Sequence, residues 1–107
     1  MKVLLVCNAG MSTSLLVEKM KKAVKPEHGE VVIEAVPVEQ FEEEVVKGYD
    51  VVLLGPQIRY KKPDFQKITD ELGIPLEVIS LADYGMVRGD KVLELAVKLY
   101  KEKKGGQ

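Results

Sequence analysis

Residues 3–20 read VLLVCNAGMSTSLLVEKM. A hydrophobic run stops at Cys7, the chain's single cysteine, and small polar residues lead from it into a helical pattern. A loop that closes onto a helix N-terminus presents backbone N–H groups without intrahelical partners and the positive end of the helix dipole. That setting favours a thiolate and binds anions. Gly10 has no Cβ and lets the backbone approach a guest closely. Ser12, Thr13 and Ser14 add hydroxyl donors. A thiolate beside such a cradle suits a phosphoryl group. Plainer roles stand beside this one. A lone cysteine at a strand end also serves as a small core residue, and serine or threonine at a helix start is ordinary capping.

Other residues carry weaker signals. Gly55-Pro56-Gln57 ends the third hydrophobic run and is expected to flank Cys7, as a wall of the site or as a rigid turn. Gln57 could touch a phosphoryl group or a partner. Tyr84 could lean over the thiol or pack on the last helix. Met11, Ile58 and Tyr60 read as an apolar docking rim or as edges of the core. Arg59, Lys61 and Lys62 suit a solvated basic loop, or a surface for an acidic or phosphorylated partner. His28, in KPEHGE, belongs to a turn and carries no expected role.

The elements that must position these residues alternate. Residues 2–6 (KVLLV), 31–36 (VVIEAV), 51–54 (VVLL) and 75–79 (PLEVI) are short, rich in β-branched residues and bounded by Gly, Pro or polar residues, as strands are. Their nearly unbroken apolar character predicts burial on both faces. Leu16, Met20, Ala23 and Val24 follow helical spacing, as do Phe65, Ile68 and Leu72, with Gly73 and Pro75 as the stop. Phe41 and Val45 mark a short helix. Val92, Leu95, Ala96 and Leu99 mark the last one, with Asp90 as its N-cap and lysines at its C-terminal end. Residues 105–107 read as a frayed tail. The order β-α-β-α-β-α-β-α predicts an α/β fold, a parallel sheet with helices on both faces. Ligands in such sheets bind at the carboxyl ends of the strands. The loops at 7–14, 55–60 and 80–89 leave those ends and are expected side by side.

Bulk properties narrow the classes. A chain of 107 residues matches one domain, and 46% hydrophobic with 31% charged residues suits a packed core and a polar surface. A net charge of −1 gives no field toward nucleic acid or anionic lipid. No apolar run approaches the ~20 residues that span a bilayer, and the N-terminus lacks a signal-peptide layout. One cysteine and one histidine supply neither a disulfide nor a metal cluster. The expectation is a cytoplasmic monomer without metal or cofactor.

The stretches VCNAGMSTSLLVEKM, DVVLLGPQIRY and DYGMVRGDKVLELAVKLYK together resemble the lactose/cellobiose-type enzyme IIB of the bacterial phosphoenolpyruvate-dependent sugar phosphotransferase system, and most of all its cellobiose/chitobiose branch. The likeness covers nearly the whole chain. Its most specific parts are C-x-A-G-M-S-T-S after the first strand and LLGPQI at the end of the third. The resemblance implies a four-stranded parallel sheet of order 2-1-3-4. It implies Cys7 as nucleophile and Asn8, Ala9, Gly10, Met11, Ser12, Thr13 and Ser14 as the phosphate-binding loop. It further implies a relay: a phosphohistidine IIA partner loads Cys7, which passes the phosphoryl group to a disaccharide on the membrane IIC partner. Such a carrier needs no substrate pocket, only an exposed thiol that both partners reach.

Two alternatives remain open at this point. Low-molecular-weight tyrosine phosphatases share the strand, Cys loop and helix, but they use C-x5-R and an aspartic acid. Here Thr13 stands where that arginine would be, and Asp83 is the one candidate acid. A redox module would lack a second, resolving cysteine. The Lys- and Glu-rich surface also suits a thermophile or an engineered scaffold in which the relay is lost.

Overall fold

The computed structural model describes residues 1–8 and 10–105, and their side chains except those of 10–12 and 105. Four strands, β1 (Lys2–Cys7), β2 (Val32–Pro37), β3 (Val51–Leu54) and β4 (Leu76–Val78), form one sheet. Every pairing is parallel and the order is β2-β1-β3-β4, as expected. Five helices accompany them among the described residues: α1 (Gly10–Ala23), α2 (Phe41–Val45), α3 (Lys62–Leu72), α4 (Leu81–Gly85) and α5 (Gly89–Gly105).

Side chains alternate across a strand, and the central strands are apolar at both parities. Val3 and Leu5 of β1, with Val51 and Leu53 of β3, pack against Leu16 and Met20 of α1 and Val92 and Ala96 of α5. Leu4 and Val6, with Val52 and Leu54, pack on the opposite face against Phe41, Val45 and Phe65 of α2 and α3. The rings of Phe41 and Phe65 stack with centroids 3.9 Å apart and so join α2 to α3. The hydrophobic effect therefore clamps the sheet between two helical layers, and β3 and all of β1 after Lys2 lie buried at its centre.

Helix ends follow their local chemistry. Gly73 closes α3 in the left-handed region, with the N–H of Ile74 donating to the Thr69 carbonyl at 2.8 Å. Asp90 lies inside the first turn of α5 rather than ahead of it, because the helix begins at Gly89. Its charge there still complements the helix dipole. The segment 80–89, read as a loop, contains α4, and 55–60 coils into a 3-10 turn at Pro56–Lys61. Both pieces are too short to show a period of apolar residues. Helix α5 runs to Gly105, and the rest of the frayed tail read at 105–107 lies outside the described residues.

Candidate functional site

Cys7 is the last residue of β1 and shares the parity of Val3 and Leu5, so it faces the α1 and α5 layer. It is 4% exposed. Helix α1 starts three positions later, and one turn in, the buried Thr13 hydroxyl is hydrogen bonded to the Cys7 sulfur. Thr13 Oγ1 also lies 3.2 Å from the hydroxyl of Tyr84, which α4 brings over the same spot. Burial raises the Tyr84 phenol above its usual range, against the hydrogen bond with Thr13 and with help from the neighbouring Cys7. Tyr84 is therefore a neutral hydroxyl near pH 7.

Gly55 completes the wall. It follows the last registered pair of β1 and β3, Val6 with Leu54, and its N–H donates to the Val6 carbonyl at 2.8 Å. By parity, position 55 points to the face that carries Cys7. A Cβ there would stand 3.0 Å from Gln57 Oε1, 3.3 Å from Cys7 Cβ and 3.5 Å from Cε2 of Tyr84. Any preference for glycine comes from that tight space, since its φ of −63° suits any residue. Exposed Gln57 thus reaches back over Gly55 toward the thiol.

Helix α4 is tied at both ends, and this fixes Tyr84. Ser80 Oγ accepts the Asp83 N–H at 3.1 Å as an N-cap. At the far end, the Val87 N–H donates to Tyr84 O at 3.1 Å and the Arg88 N–H to Asp83 O at 2.8 Å. That double closure normally uses glycine in the left-handed position. Here Val87 occupies it at φ 52°, at a cost of about 1–2 kcal/mol. Its half-buried side chain packs on the α1 and α5 core, which offsets the strain. Gly89 then lets α5 touch α1: a Cβ there would stand 2.5 Å from the Lys19 carbonyl carbon and 2.6 Å from the Met20 nitrogen.

The structure redistributes the residues singled out in the sequence. Cys7, Thr13, Gly55, Gln57 and Tyr84 converge, so the three strand-end segments do meet. The expected loop at 8–14 is mostly helix, because α1 already begins at Gly10. Asn8 and Ser14 are exposed, while Ala9 and the side chains of Met11 and Ser12 lie outside the described residues. The expected exposed thiol is instead buried, since its strand parity turns it under Thr13 and Tyr84. Ile58 is 0% exposed and belongs to the core on the α2 and α3 face, not to a docking rim. Tyr60, at 67% exposed, stays available for one. Arg59 donates to the Pro56 carbonyl at 3.0 Å, and Lys62 pairs with Glu77 at 3.0 Å. His28 has a structural part: its Nδ1 accepts the Lys25 N–H at 2.9 Å. Asp83 faces Arg88 at 3.6 Å. No local pattern in the sequence distinguishes Thr13 from Ser12 and Ser14 or marks Gly55 as a closely packed position. Only the sixth position after Cys7, on the inward face of α1, hinted at the first. Among the described residues, no three His, Cys, Asp or Glu gather to hold a metal, and no helix is long and apolar enough to cross a membrane.

The site thus sits at the carboxyl end of a central strand of a four-stranded parallel sheet, with a buried thiol three positions ahead of α1. The family model described as "PTS system, Lactose/Cellobiose specific IIB subunit" matches residues 2–95, and the chain belongs to that family. It is 44% identical over 98 residues to the PTS system oligo-beta-mannoside-specific EIIB component of Bacillus subtilis, covering 92% of this chain and 94% of that one. It is 42% identical over 102 residues to the cellobiose-specific EIIB component of Lactococcus lactis, covering 91% and 94%. The solution structure of the cellobiose-specific phosphotransferase IIB component from Borrelia burgdorferi superposes with a TM-score of 0.77 at 46% identity, over 96% of this chain and 94% of that chain.

Proposed function

We propose that this chain is the cysteine phosphoryl carrier of a sugar phosphotransferase system. The carrying observation is the position of Cys7: at the end of β1, hydrogen bonded to Thr13, immediately before the N-terminus of the 14-residue α1. The Cys7 sulfur attacks the phosphorus of a phosphohistidine on a IIA protein. The P–N bond breaks, a P–S bond forms, and the imidazole keeps the released electron pair. A sugar hydroxyl held by a membrane IIC protein then attacks the phosphorus. The P–S bond breaks, the thiolate is regenerated, and the hydroxyl proton leaves to a base on the acceptor side. Such transfer depends on positioning and charge stabilisation rather than on added chemistry.

The first-turn N–H groups of α1, from Gly10 onward, and the Thr13 hydroxyl are the donors for the phosphoryl oxygens. Asn8, Ala9, Met11, Ser12 and Ser14 complete the anion-binding segment, and Gln57 closes it from β3. Because Cys7 is 4% exposed, the donor uncovers the sulfur as it docks. The relatives named for oligo-β-mannoside and for cellobiose favour a β-linked disaccharide as the final acceptor. The test is incubation with a phosphorylated IIA protein of this class, followed by intact mass and peptide mapping. One added phosphoryl group on Cys7, absent in Cys7→Ser, supports the carrier. Equal labelling of Cys7→Ser excludes it.

A further inference from the structure

We propose that Tyr84 is a positioning residue for the Cys7 thiol: its hydroxyl donates to Thr13 Oγ1 and so directs the Thr13 proton onto the sulfur. The inference rests on the reading of Cys7 as the reacting group. It adds a role for a side chain on a different element from both the strand and the helix of the phosphate-binding segment.

The geometry carries the argument. Three side chains form one cluster: Tyr84 Oη lies 3.2 Å from Thr13 Oγ1, Thr13 Oγ1 is hydrogen bonded to Cys7 Sγ, and the Tyr84 hydroxyl also hydrogen bonds with Cys7 itself. All three residues are buried, so water does not compete for these groups as it would at the surface. A hydroxyl that both accepts and donates can run in either direction. If sulfur donates to Thr13, Thr13 donates to Tyr84 and the thiol keeps its proton. If Tyr84 donates to Thr13, Thr13 donates to sulfur and supports the ionised, nucleophilic form. Burial holds the Tyr84 phenol protonated, and so able to donate, over the working pH range. An S–H is also a weak donor, while an ionised sulfur is a strong acceptor. Ionisation of the thiol therefore turns both hydroxyl protons toward it. The fixed ends of α4, through Ser80 and the left-handed Val87, hold the phenol at the end of this chain.

The test reads the thiol directly, by its rate of alkylation with iodoacetamide across pH. Tyr84→Phe keeps the ring and removes the oxygen. The expected result is a rate about three- to ten-fold lower near neutral pH, the worth of one hydrogen bond, in the variant. The deficit should shrink as pH rises, because a hydrogen bond that favours ionised sulfur matters least once the thiolate dominates in both proteins. Site-specific 3-fluorotyrosine at position 84, a stronger donor of similar shape, should raise the neutral rate instead. A packing or covering role changes access to sulfur equally at every pH. A pH-independent factor, or no change, in Tyr84→Phe would overturn the proposal, as would a lower neutral rate with fluorotyrosine. If Tyr84→Phe does not fold, the fluorinated protein decides alone. No phosphoryl donor is used, so failure of this chain and failure of the carrier reading are separate results.

Discussion

A methyl group on Gly55 would come within 3.3 Å of the Cys7 Cβ, so the end of β3 is closed against the thiol by the absence of a side chain. The two residues sit just beyond the last registered pair of β1 and β3, on the same face of the sheet. Their closeness is therefore built into the parallel register.

Gly55→Ala is the direct probe of this contact. The new methyl meets Gln57 Oε1, the far end of a flexible side chain that can swing away. Cys7 Cβ and the Tyr84 ring cannot move as freely, because both belong to buried, tied elements. Overpacking costs about 1–3 kcal/mol, while the stiffer unfolded chain returns about 0.4–1 kcal/mol. The variant should fold and lose about 1 kcal/mol, with slower loading of Cys7. Urea unfolding checks the first part and the IIA labelling rate the second. A variant as stable as wild type, loading at the same rate, would show that the wall has slack.

Gly89→Ala should be more damaging, although alanine is the better helix former by about 1 kcal/mol. Its Cβ would collide with backbone atoms of Lys19 and Met20, which no rotamer change relieves. Helices α1 and α5 would have to separate, loosening Met20, Val92 and Ala96 in the core they share. A net loss of about 2–3 kcal/mol is expected from the clash and the lost packing. For a domain of this size that lowers Tm by roughly 10–20 °C. Thermal unfolding followed by circular dichroism measures it.

These two glycines also show where the sequence was readable. The unbroken runs in β1 and β3 announced burial on both faces, and alternation of strands and helices announced a parallel sheet. The strand order came from family resemblance, since short connections alone allow several orders. Exposure at strand ends was harder to read. Cys7 and Ile58 stand where chains commonly turn outward, yet tertiary packing covers both. Thr13 and Tyr84 are 71 positions apart, and no local pattern pairs them. Val87 in a left-handed turn contradicts its own preference and is intelligible only with its core contacts on view.

Acid stability should depend on Glu77. Burial pushes its carboxyl up, but the Val78 N–H at 2.9 Å and the Lys62 ammonium at 3.0 Å outweigh this and hold it below its usual value. A lowered folded value means the unfolded chain takes up the proton first. The contribution is therefore present above the ordinary carboxylate range and is lost as pH falls through the lowered value. The pair is partly solvent-exposed, so the effect is modest and weakens with salt. Glu77→Gln should flatten the fall in urea midpoint as pH drops below the ordinary carboxylate range. An unchanged acid limb would place the acid sensitivity elsewhere.

On the proposed carrier reading, the protein should not behave as a phosphatase. A cysteine phosphatase must protonate its leaving group and then aim water at phosphocysteine, and each placed acid or base gives about 100- to 10,000-fold in rate. It also clamps phosphate with a bidentate guanidinium, which a neutral hydroxyl does not equal. Here Thr13 stands in the clamp position and uses its oxygen on Cys7 and Tyr84. Arg59 is turned to the Pro56 carbonyl, and Arg88 to Asp83 and Met86. Asp83, the one candidate acid on that side, spends its carboxylate on Arg88. A relay needs the reverse of hydrolysis, a phosphocysteine that outlasts the passage between two partners. On the carrier reading, the buried position of Cys7 would help to keep water from a P–S bond. Turnover of an aryl phosphate should therefore match that of Cys7→Ser, and isolated phosphoprotein should keep its label until an acceptor is supplied. Steady-state aryl phosphate hydrolysis and the lifetime of the labelled protein measure the two halves. Turnover that disappears in Cys7→Ser and drops again in Asp83→Asn would instead make Asp83 a general acid and the protein a hydrolase.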